Sequence, residues 1–73
     1  MIYKENEIYN EKKDKYLWNK IKVRDIITDF TDPETDFDIQ VLVLEVSDKN
    51  MIIQNIKTKQ KYMVEDGAIY EEP

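Results

Sequence analysis

The segment from Phe37 to Val64 constrains the fold of this chain most strongly. Two mainly apolar runs, 37–46 and 51–56, flank a polar tetrad at 47–50, and a second polar return leads into a third run ending at Val64. Strands separated by short polar turns produce this pattern. The sequence therefore predicts a β-hairpin extended by a further strand, and the remaining residues are expected to fold back onto this sheet.

The first of these runs is apolar on both faces of the predicted strand. Val41 and Val43 share one face, whereas Leu42 and Leu44 lie on the other. A strand that is apolar on both sides is usually central in a sheet or lies at the corner of a barrel. We therefore expect residues 37–46 to occupy the centre of the fold.

Length and composition limit the class of protein. Seventy-three residues predict one domain, 1–73, with an N-terminal segment over 1–18 and a barrel over 19–72. The chain has no cysteine and no histidine, which excludes disulfides, thiolate metal sites and the commonest general base. No apolar run is long enough for a membrane helix, and the first residues lack the apolar core of a signal peptide. We expect a cytoplasmic protein.

Residues 1–18 allow two interpretations. Ile8, Tyr9 and Tyr16 fall at mixed three- and four-residue spacings, and the Glu and Lys residues among them favour a short helix. Aromatic residues also bracket the polar stretch 10–14, which is the pattern of a hairpin with aromatic pairs across its strands. The sequence leaves the hairpin and the helix open.

The remaining residues add strands to the central hairpin. Apolar residues alternate over 19–30, but the phase slips by one residue past Asp25, which predicts a long strand with a β-bulge. Residues 31–36 have turn chemistry, and the tail over 65–70 predicts a single helical turn around Gly67 before a last short strand. Five or six short strands in so small a chain predict an all-β, antiparallel small barrel.

This layout of a long first strand, a loop, two hairpins, a one-turn helix and a terminal strand resembles the SH3-like small barrels. The segment KYMVEDGAIYEE (61–72) is similar to their closing segment. The composition, rich in Ile, Lys, Asn and Asp, resembles that of small accessory proteins of low-GC Gram-positive bacteria and their phages. The resemblance implies a five- to six-stranded SH3-like barrel and carries no functional residue across.

Charge is strongly segregated along the chain, whose net charge is −5. Residues 1–24 hold seven Lys/Arg and four Asp/Glu, residues 25–48 hold eight Asp/Glu and no cation, and residues 49–73 hold four of each. Such an anionic stretch suits a basic partner surface, including one that normally binds nucleic acid. We expect a non-enzymatic accessory or inhibitor protein that mimics nucleic acid, with an acidic face formed by Asp25, Asp29, Asp32, Glu34, Asp36 and Asp38. Acidic turns that only keep the domain soluble would give the same pattern.

An alternative function is the binding of single-stranded nucleic acid. Aromatic rings that stack on bases and cations that meet phosphates would alternate on one strand face. The residues are Tyr16, Trp18, Lys20, Lys22 and Arg24. The acidic overall charge disfavours this alternative.

Other functions have weaker support. Without His or Cys, a nucleophile would have to be Ser47 or a threonine, so no catalytic residue and no cofactor is expected. The acidic repeat beginning at Asp32 fails as a calcium loop, because its sixth and twelfth positions are Phe37 and Val43 rather than Gly and Glu. No metal site is expected. A structural subunit of a homo-oligomer, with Tyr3, Tyr9, Tyr62 and Tyr70 as interface residues, is the third alternative.

Overall fold

The computed structural model describes all 73 residues, most of them in strands, with a single short helix. The bounds of the elements follow directly from hydrogen bonding in the backbone. In chain order they are β1 (Ile2–Tyr3), α1 (Glu5–Ile8), β2 (Tyr9–Asn10), β3 (Lys15–Tyr16), β4 (Ile26–Thr31), β5 (Asp38–Val46), β6 (Asn50–Asn55), β7 (Lys61–Glu65) and β8 (Ala68–Glu72).

Six of the strands form one mixed sheet in the order β1-β4-β5-β6-β7-β8, and β2 and β3 form a separate hairpin. The pairs from β4 to β8 are all antiparallel, whereas β1 runs parallel to β4. The predicted all-β fold, with a six-stranded, barrel-like sheet, is confirmed. The sheet is not closed, however, because β1 and β8 are both edge strands and do not pair with each other.

The longest strand, β5, lies between β4 and β6, as its two apolar faces predicted. Val41 and Val43 are fully buried, and Leu42 and Leu44 on the outer face are half-buried. The register shifts between Val43 and Glu45, so the strand bends at this point. This bend lets one strand serve both sides of a strongly curved sheet.

The long, bulged strand predicted over 19–30 is wrong in its first part, although a bulge is present further along. The strand begins only at Ile26, and the register shift lies between Ile27 and Phe30. Turns occupy the preceding residues because the Asp25 carboxylate accepts a hydrogen bond from the Lys22 backbone N–H at 2.8 Å, and Arg24 has a φ of 78°. Side-chain capping of this kind competes with strand pairing.

One hydrophobic core fills the inner face of the sheet. It is contributed by β4, β5, β6 and β7 and by the N-terminal segment, which covers one side. Tyr3, Tyr9, Trp18, Ile39 and Val46 pack against it from its margin. Its buried members are Ile8, Tyr16, Ile21, Ile27, Phe30, Val41, Val43, Met51, Ile53, Tyr62 and Val64.

The two ends of the chain combine correct and incorrect expectations. The N-terminal segment contains both predicted alternatives, a four-residue helix and a hairpin with Tyr9 opposite Tyr16. The helical turn predicted near Gly67 is wrong. Asp66 and Gly67 instead form the two-residue turn between β7 and β8, where Gly67 has a φ of 75°. The predicted last strand is present as β8.

Candidate functional site

Carboxylates of the sheet hold the N-terminal segment in place. The Glu5 backbone N–H donates to Asp29 Oδ1 at 2.6 Å, which fixes the start of α1 against β4. The Tyr16 backbone N–H donates to Asp66 Oδ1 at 2.8 Å, and the Trp18 indole Nε1–H donates to the other oxygen of Asp66 at 3.3 Å. Charge-assisted bonds of this type are stronger than bonds between neutral groups. They place α1 and the β2–β3 hairpin beside the last turn of the sheet.

Two neighbouring cavities lie along this junction. The first, about 470 Å³ in volume, is lined by the hairpin and α1 on one side and by the start of β8 on the other. The second, about 330 Å³, lies between the N-terminal segment and the ends of β4 and β5. Glu5 and Tyr9 line both cavities, so the two lie side by side in one depression of the surface.

The depression is lined by carboxylates from four separate parts of the chain. No lysine or arginine is among the lining residues of either cavity. We call this depression the acidic groove and define it by its carboxylates and its two tyrosines. They are Glu5, Tyr9, Glu11, Asp14, Tyr16, Asp29, Asp38 and Glu65.

Glu5 lies where the two cavities meet. Its Oε1 accepts a hydrogen bond from the Tyr16 hydroxyl at 2.8 Å, whereas its Oε2 is buried without a hydrogen-bond partner. Burial raises the pKa of the Glu5 carboxyl, and the charge of Asp29 adds to this, although the bond from Tyr16 opposes it. The floor of the acidic groove therefore holds a carboxyl group that gains a proton more readily than an exposed glutamate.

Aromatic rings support this floor. The ring centroids of Tyr9 and Tyr16 are 4.8 Å apart, and those of Tyr16 and Trp18 are 5.2 Å apart. The Tyr9 hydroxyl donates to Asp14, which raises the pKa of Tyr9 to about 12. Burial, together with the nearby Glu5 carboxyl, raises the pKa of Tyr16 even further. Both phenols therefore remain neutral and leave the carboxylates as the charged groups of the site.

A second acidic feature adjoins the groove at Pro33, which lines the larger cavity. The carboxyl groups of Glu34 and Glu71 lie side by side, and this proximity raises the pKa of Glu34. Beneath them, burial and the charge of Asp32 raise the pKa of Tyr62 to about 12. The negative potential of the groove therefore extends along β8.

The chain does not neutralise this surface with its own cations. The single salt bridge in the structure joins the N-terminal ammonium to Asp25 at 3.0 Å. None of the eleven Lys and Arg side chains forms a salt bridge with a carboxylate. Although the carboxylates converge, no three of them are arranged to hold a metal ion. No lysine or arginine of the chain forms a salt bridge with the carboxylates of the acidic groove.

Two members of the predicted acidic face do not belong to any exposed surface. Asp25 and Asp32 are buried, with 3% and 8% of their surface exposed. Asp25 binds the N-terminal ammonium and a backbone N–H, and Asp32 accepts bonds from the Glu34 N–H and the Tyr62 hydroxyl. A carboxylate that caps its own turn lies against the backbone and is buried there. Asp25 and Asp32 therefore have structural roles.

The other four members of the predicted face are distributed over two places. Asp29 and Asp38 line the acidic groove, and Glu34 lies against Glu71 beside it. Asp36 is exposed in the turn, with a φ of 63°. The predicted face is thus only part of the surface that the fold assembles.

The residues of the nucleic-acid alternative do not share a strand face, because residues 17–25 form turns. Tyr16 is buried, and Trp18 donates to Asp66, so both rings have acidic neighbours. Lys20 donates to the Glu7 carbonyl and lies 5.1 Å from the centre of the Tyr3 ring. A phosphate backbone would meet carboxylates beside these rings.

Two further members of this set, Lys22 and Arg24, are exposed in the turn that precedes β4. The backbone N–H of Lys22 is bonded to Asp25, and the backbone N–H of Arg24 donates to the Val43 carbonyl at 2.8 Å. Their backbones thus fasten this turn to the sheet. Their side chains line neither cavity of the acidic groove.

The tyrosines of the oligomer alternative have different environments. Tyr62 is in the core, and Tyr3 and Tyr9 pack at its margin. Only Tyr70, which is 51% exposed on the outer face of β8, is presented to a second molecule. These four residues do not form one aromatic interface.

Sequence reasoning missed half of the groove. Glu5, Glu11, Asp14 and Glu65 lie outside the acidic segment 25–38. Three of them belong to the part of the chain that is basic overall, so a charge count along the sequence hides them. Only the docking of the N-terminal segment onto the last turn brings them together.

Comparison with protein families, with curated proteins and with solved structures finds no match for this chain. No helix of the protein has the length and apolar character needed to cross a membrane. The function therefore has to be inferred from the geometry and charge of the acidic groove.

Proposed function

We propose that this protein is a non-enzymatic binding protein whose acidic groove takes a Lys/Arg-rich surface of a partner protein. One observation carries the proposal. Six carboxylates line two adjacent cavities, and neither the lining residues nor any salt bridge supplies a compensating cation. Three of the six, those of Glu11, Asp38 and Glu65, form no bond that would stabilise the fold, so a function that uses their charge is the simplest explanation.

The shape of the site supports a protein partner. The rim carboxylates of Glu11, Asp38 and Glu65 make no hydrogen bonds within the chain, so they are available to lysine and arginine side chains. The aromatic floor beneath them offers apolar contact to the alkyl parts of those side chains. Concave acidic surfaces accelerate encounter with basic partners and select against acidic ones.

The more specific predictions from the sequence, which concern the inhibitor role, the resemblance and the compartment, are part of this proposal. A basic surface of this kind is typical of proteins that bind nucleic acid, so occupation of the groove would block such a surface and make the protein an inhibitor. The resemblance to SH3-like accessory proteins of Gram-positive bacteria or phages agrees with this role. The cytoplasm is the compartment in which we expect it.

The test compares a groove variant with a matched control. Glu11, Asp38 and Glu65 are all changed to Lys, and in the control Asp36, Glu45 and Asp48, which are exposed and line neither cavity, are changed to Lys. Both triple variants shift the net charge from −5 to +1, since three reversals add six charges. The probe is a short oligolysine peptide, and calorimetry at low and moderate salt measures its affinity.

The two triple variants are expected to behave differently. Three exposed ion pairs at roughly 0.5 kcal/mol each correspond to about tenfold weaker peptide binding by the groove variant than by the control. Equal affinities for the two variants would mean that only net charge matters, and the proposal would be wrong. A labelled oligonucleotide is the second probe. Tight, salt-sensitive binding of it by the unmodified protein would favour the nucleic-acid alternative instead.

A further inference from the structure

The last strand, β8, has one free edge. It pairs with β7 alone, and none of the backbone hydrogen bonds outside the helix and the sheet ladders involves residues 68–72. Unpaired N–H and C=O groups on an edge strand are a template for another extended chain. The strand contains neither lysine nor proline, and its charged residues, Glu71 and Glu72, disfavour pairing with an acidic chain but not with a basic one.

The register shows which backbone groups are free. Glu65 and Ala68 flank the two-residue turn and form a hydrogen-bonded pair. In an antiparallel ladder such pairs alternate with pairs that exchange no backbone hydrogen bonds, and the pairs of Ile69 and Glu71 with β7 are of this second kind. The backbone groups of Ile69 and Glu71 therefore point away from β7. Two donors and two acceptors are available on this edge.

The same two residues face the acidic surface. Ile69 pairs with the buried Val64 and lines the larger cavity, so its side chain is on the inner face of the sheet. Glu71 pairs with the buried Tyr62 and lies beside Glu34. The free edge and the acidic groove are thus parts of one surface.

We propose that β8 pairs through its free edge with an extended, lysine- or arginine-bearing segment of the partner protein. This inference rests on the proposed function and specifies how the partner is held: main-chain bonds to Ile69 and Glu71 align the segment, and alternate side chains reach the carboxylates of the groove. A basic segment fits better than a second copy of this chain, because pairing two copies through β8 would bring two acidic surfaces together.

The first test removes one main-chain donor. Ile69→Pro deletes the outward N–H while the ladder to β7 keeps its hydrogen bonds, and Ile69→Ala is the control that loses the side chain but keeps the N–H. The probe is a short peptide of alternating lysine and threonine, with binding followed by NMR shifts of β8 amides. We expect the proline variant to bind at least about tenfold more weakly than the alanine variant. Equal binding by the two variants would overturn the inference.

The second test does not depend on the folding of a variant. Two versions of the peptide carry backbone N-methyl groups, one on every lysine and the other on every threonine, and each is titrated into the unmodified protein. In an added strand only alternate residues turn their backbone toward the edge, so one version binds and the other does not. If both bind like the parent peptide, main-chain pairing is absent. After that result the proposed function would still hold if the triple groove variant binds the peptide more weakly than the control. It would be wrong if that variant binds the peptide as tightly as the control.

Discussion

The sheet from β4 to β8 and the N-terminal residues 1–25 are held by different forces. The sheet strands are joined by continuous antiparallel ladders, and their inner faces supply most of the buried core. The N-terminal region has only short pairings and is fastened by carboxylates that accept bonds from its backbone, chiefly Asp29 and Asp66. The sheet therefore depends on ladders and packing, whereas the N-terminal region adds carboxylate anchors to the packing of Ile8, Tyr16 and Ile21.

The difference shows how a small protein can build a binding site from structural parts. Asp29 accepts a bond that positions α1 and also lines the acidic groove, and Glu65 of the groove immediately precedes Asp66, which anchors the hairpin. Anchoring by carboxylates gathers negative charge at the junction between the two regions. The proposed binding surface and the junction between the two regions are thus in the same place.

The largest expected effect comes from the packed region. Phe30 is 1% exposed in the core, and Phe30→Ala leaves a cavity that costs about 3–5 kcal/mol. Because a chain of this size has little stability to lose, we expect both regions to unfold together. Urea unfolding measures the stability of both regions, with far-UV circular dichroism reporting on the sheet and Trp18 fluorescence on the N-terminal region. A variant that keeps its sheet signal would contradict the dependence of the sheet on packing.

A smaller and more local effect is expected at the join. Asp66→Ala removes the acceptor for the Tyr16 N–H and the Trp18 indole, which costs about 1–3 kcal/mol. We expect hydrogen exchange to accelerate in residues 9–20 while the β5 and β6 amides stay protected. Asp66→Asn keeps one side-chain oxygen and serves as the milder control. Uniform loss of protection in both regions would show that they unfold as one unit.

The smallest effect concerns pH. The pKa of Glu5 is raised in the folded protein, so folding favours its protonated form. This contribution to stability is fully present below the ordinary pKa of 4.5, and it is lost as the pH rises through the raised pKa of the folded state. Glu5→Gln keeps an oxygen for the Tyr16 hydroxyl and removes the charge beside Asp29. We expect the variant to be slightly more stable than the parent at neutral pH, by less than about 1 kcal/mol, and to lose this advantage near pH 4. Thermal melts at both pH values measure the difference. A variant less stable than the parent at neutral pH would show that the ionised carboxylate is needed.

The strands of the sheet could be predicted from the sequence because the pattern of each strand and its pairing partner lie close together in the chain. Alternation in 37–46 and 51–56 gave strands whose partners are adjacent in the chain, and polar tetrads marked the turns between them. The strand start at Ile26 was missed because the Asp25 carboxylate accepts a bond from the N–H of Lys22, a local side-chain cap that alternation does not reveal. The same reasoning mistook the two-residue turn at Gly67 for a helical turn.

The candidate site could be predicted only in part. The acidic segment 25–38 indicated an anionic surface, and two of its residues, Asp29 and Asp38, line the groove. Sequence patterns do not show which carboxylates cap turns by accepting backbone hydrogen bonds, so the burial of Asp25 and Asp32 was not predicted. Nor do they show that Asp14 and Glu65, far apart in the chain, line one cavity.

The bond from Tyr16 to Asp66 spans 50 positions of the chain and has a consequence for synthesis. A ribosome adds about 5–20 residues per second and releases the N-terminal region first. That region must wait until the residues between Tyr16 and Asp66 have been added before its anchor exists, so its tyrosines and Trp18 stay unprotected during this interval. The β7–β8 hairpin then completes the docking, and the acidic groove forms only at that step.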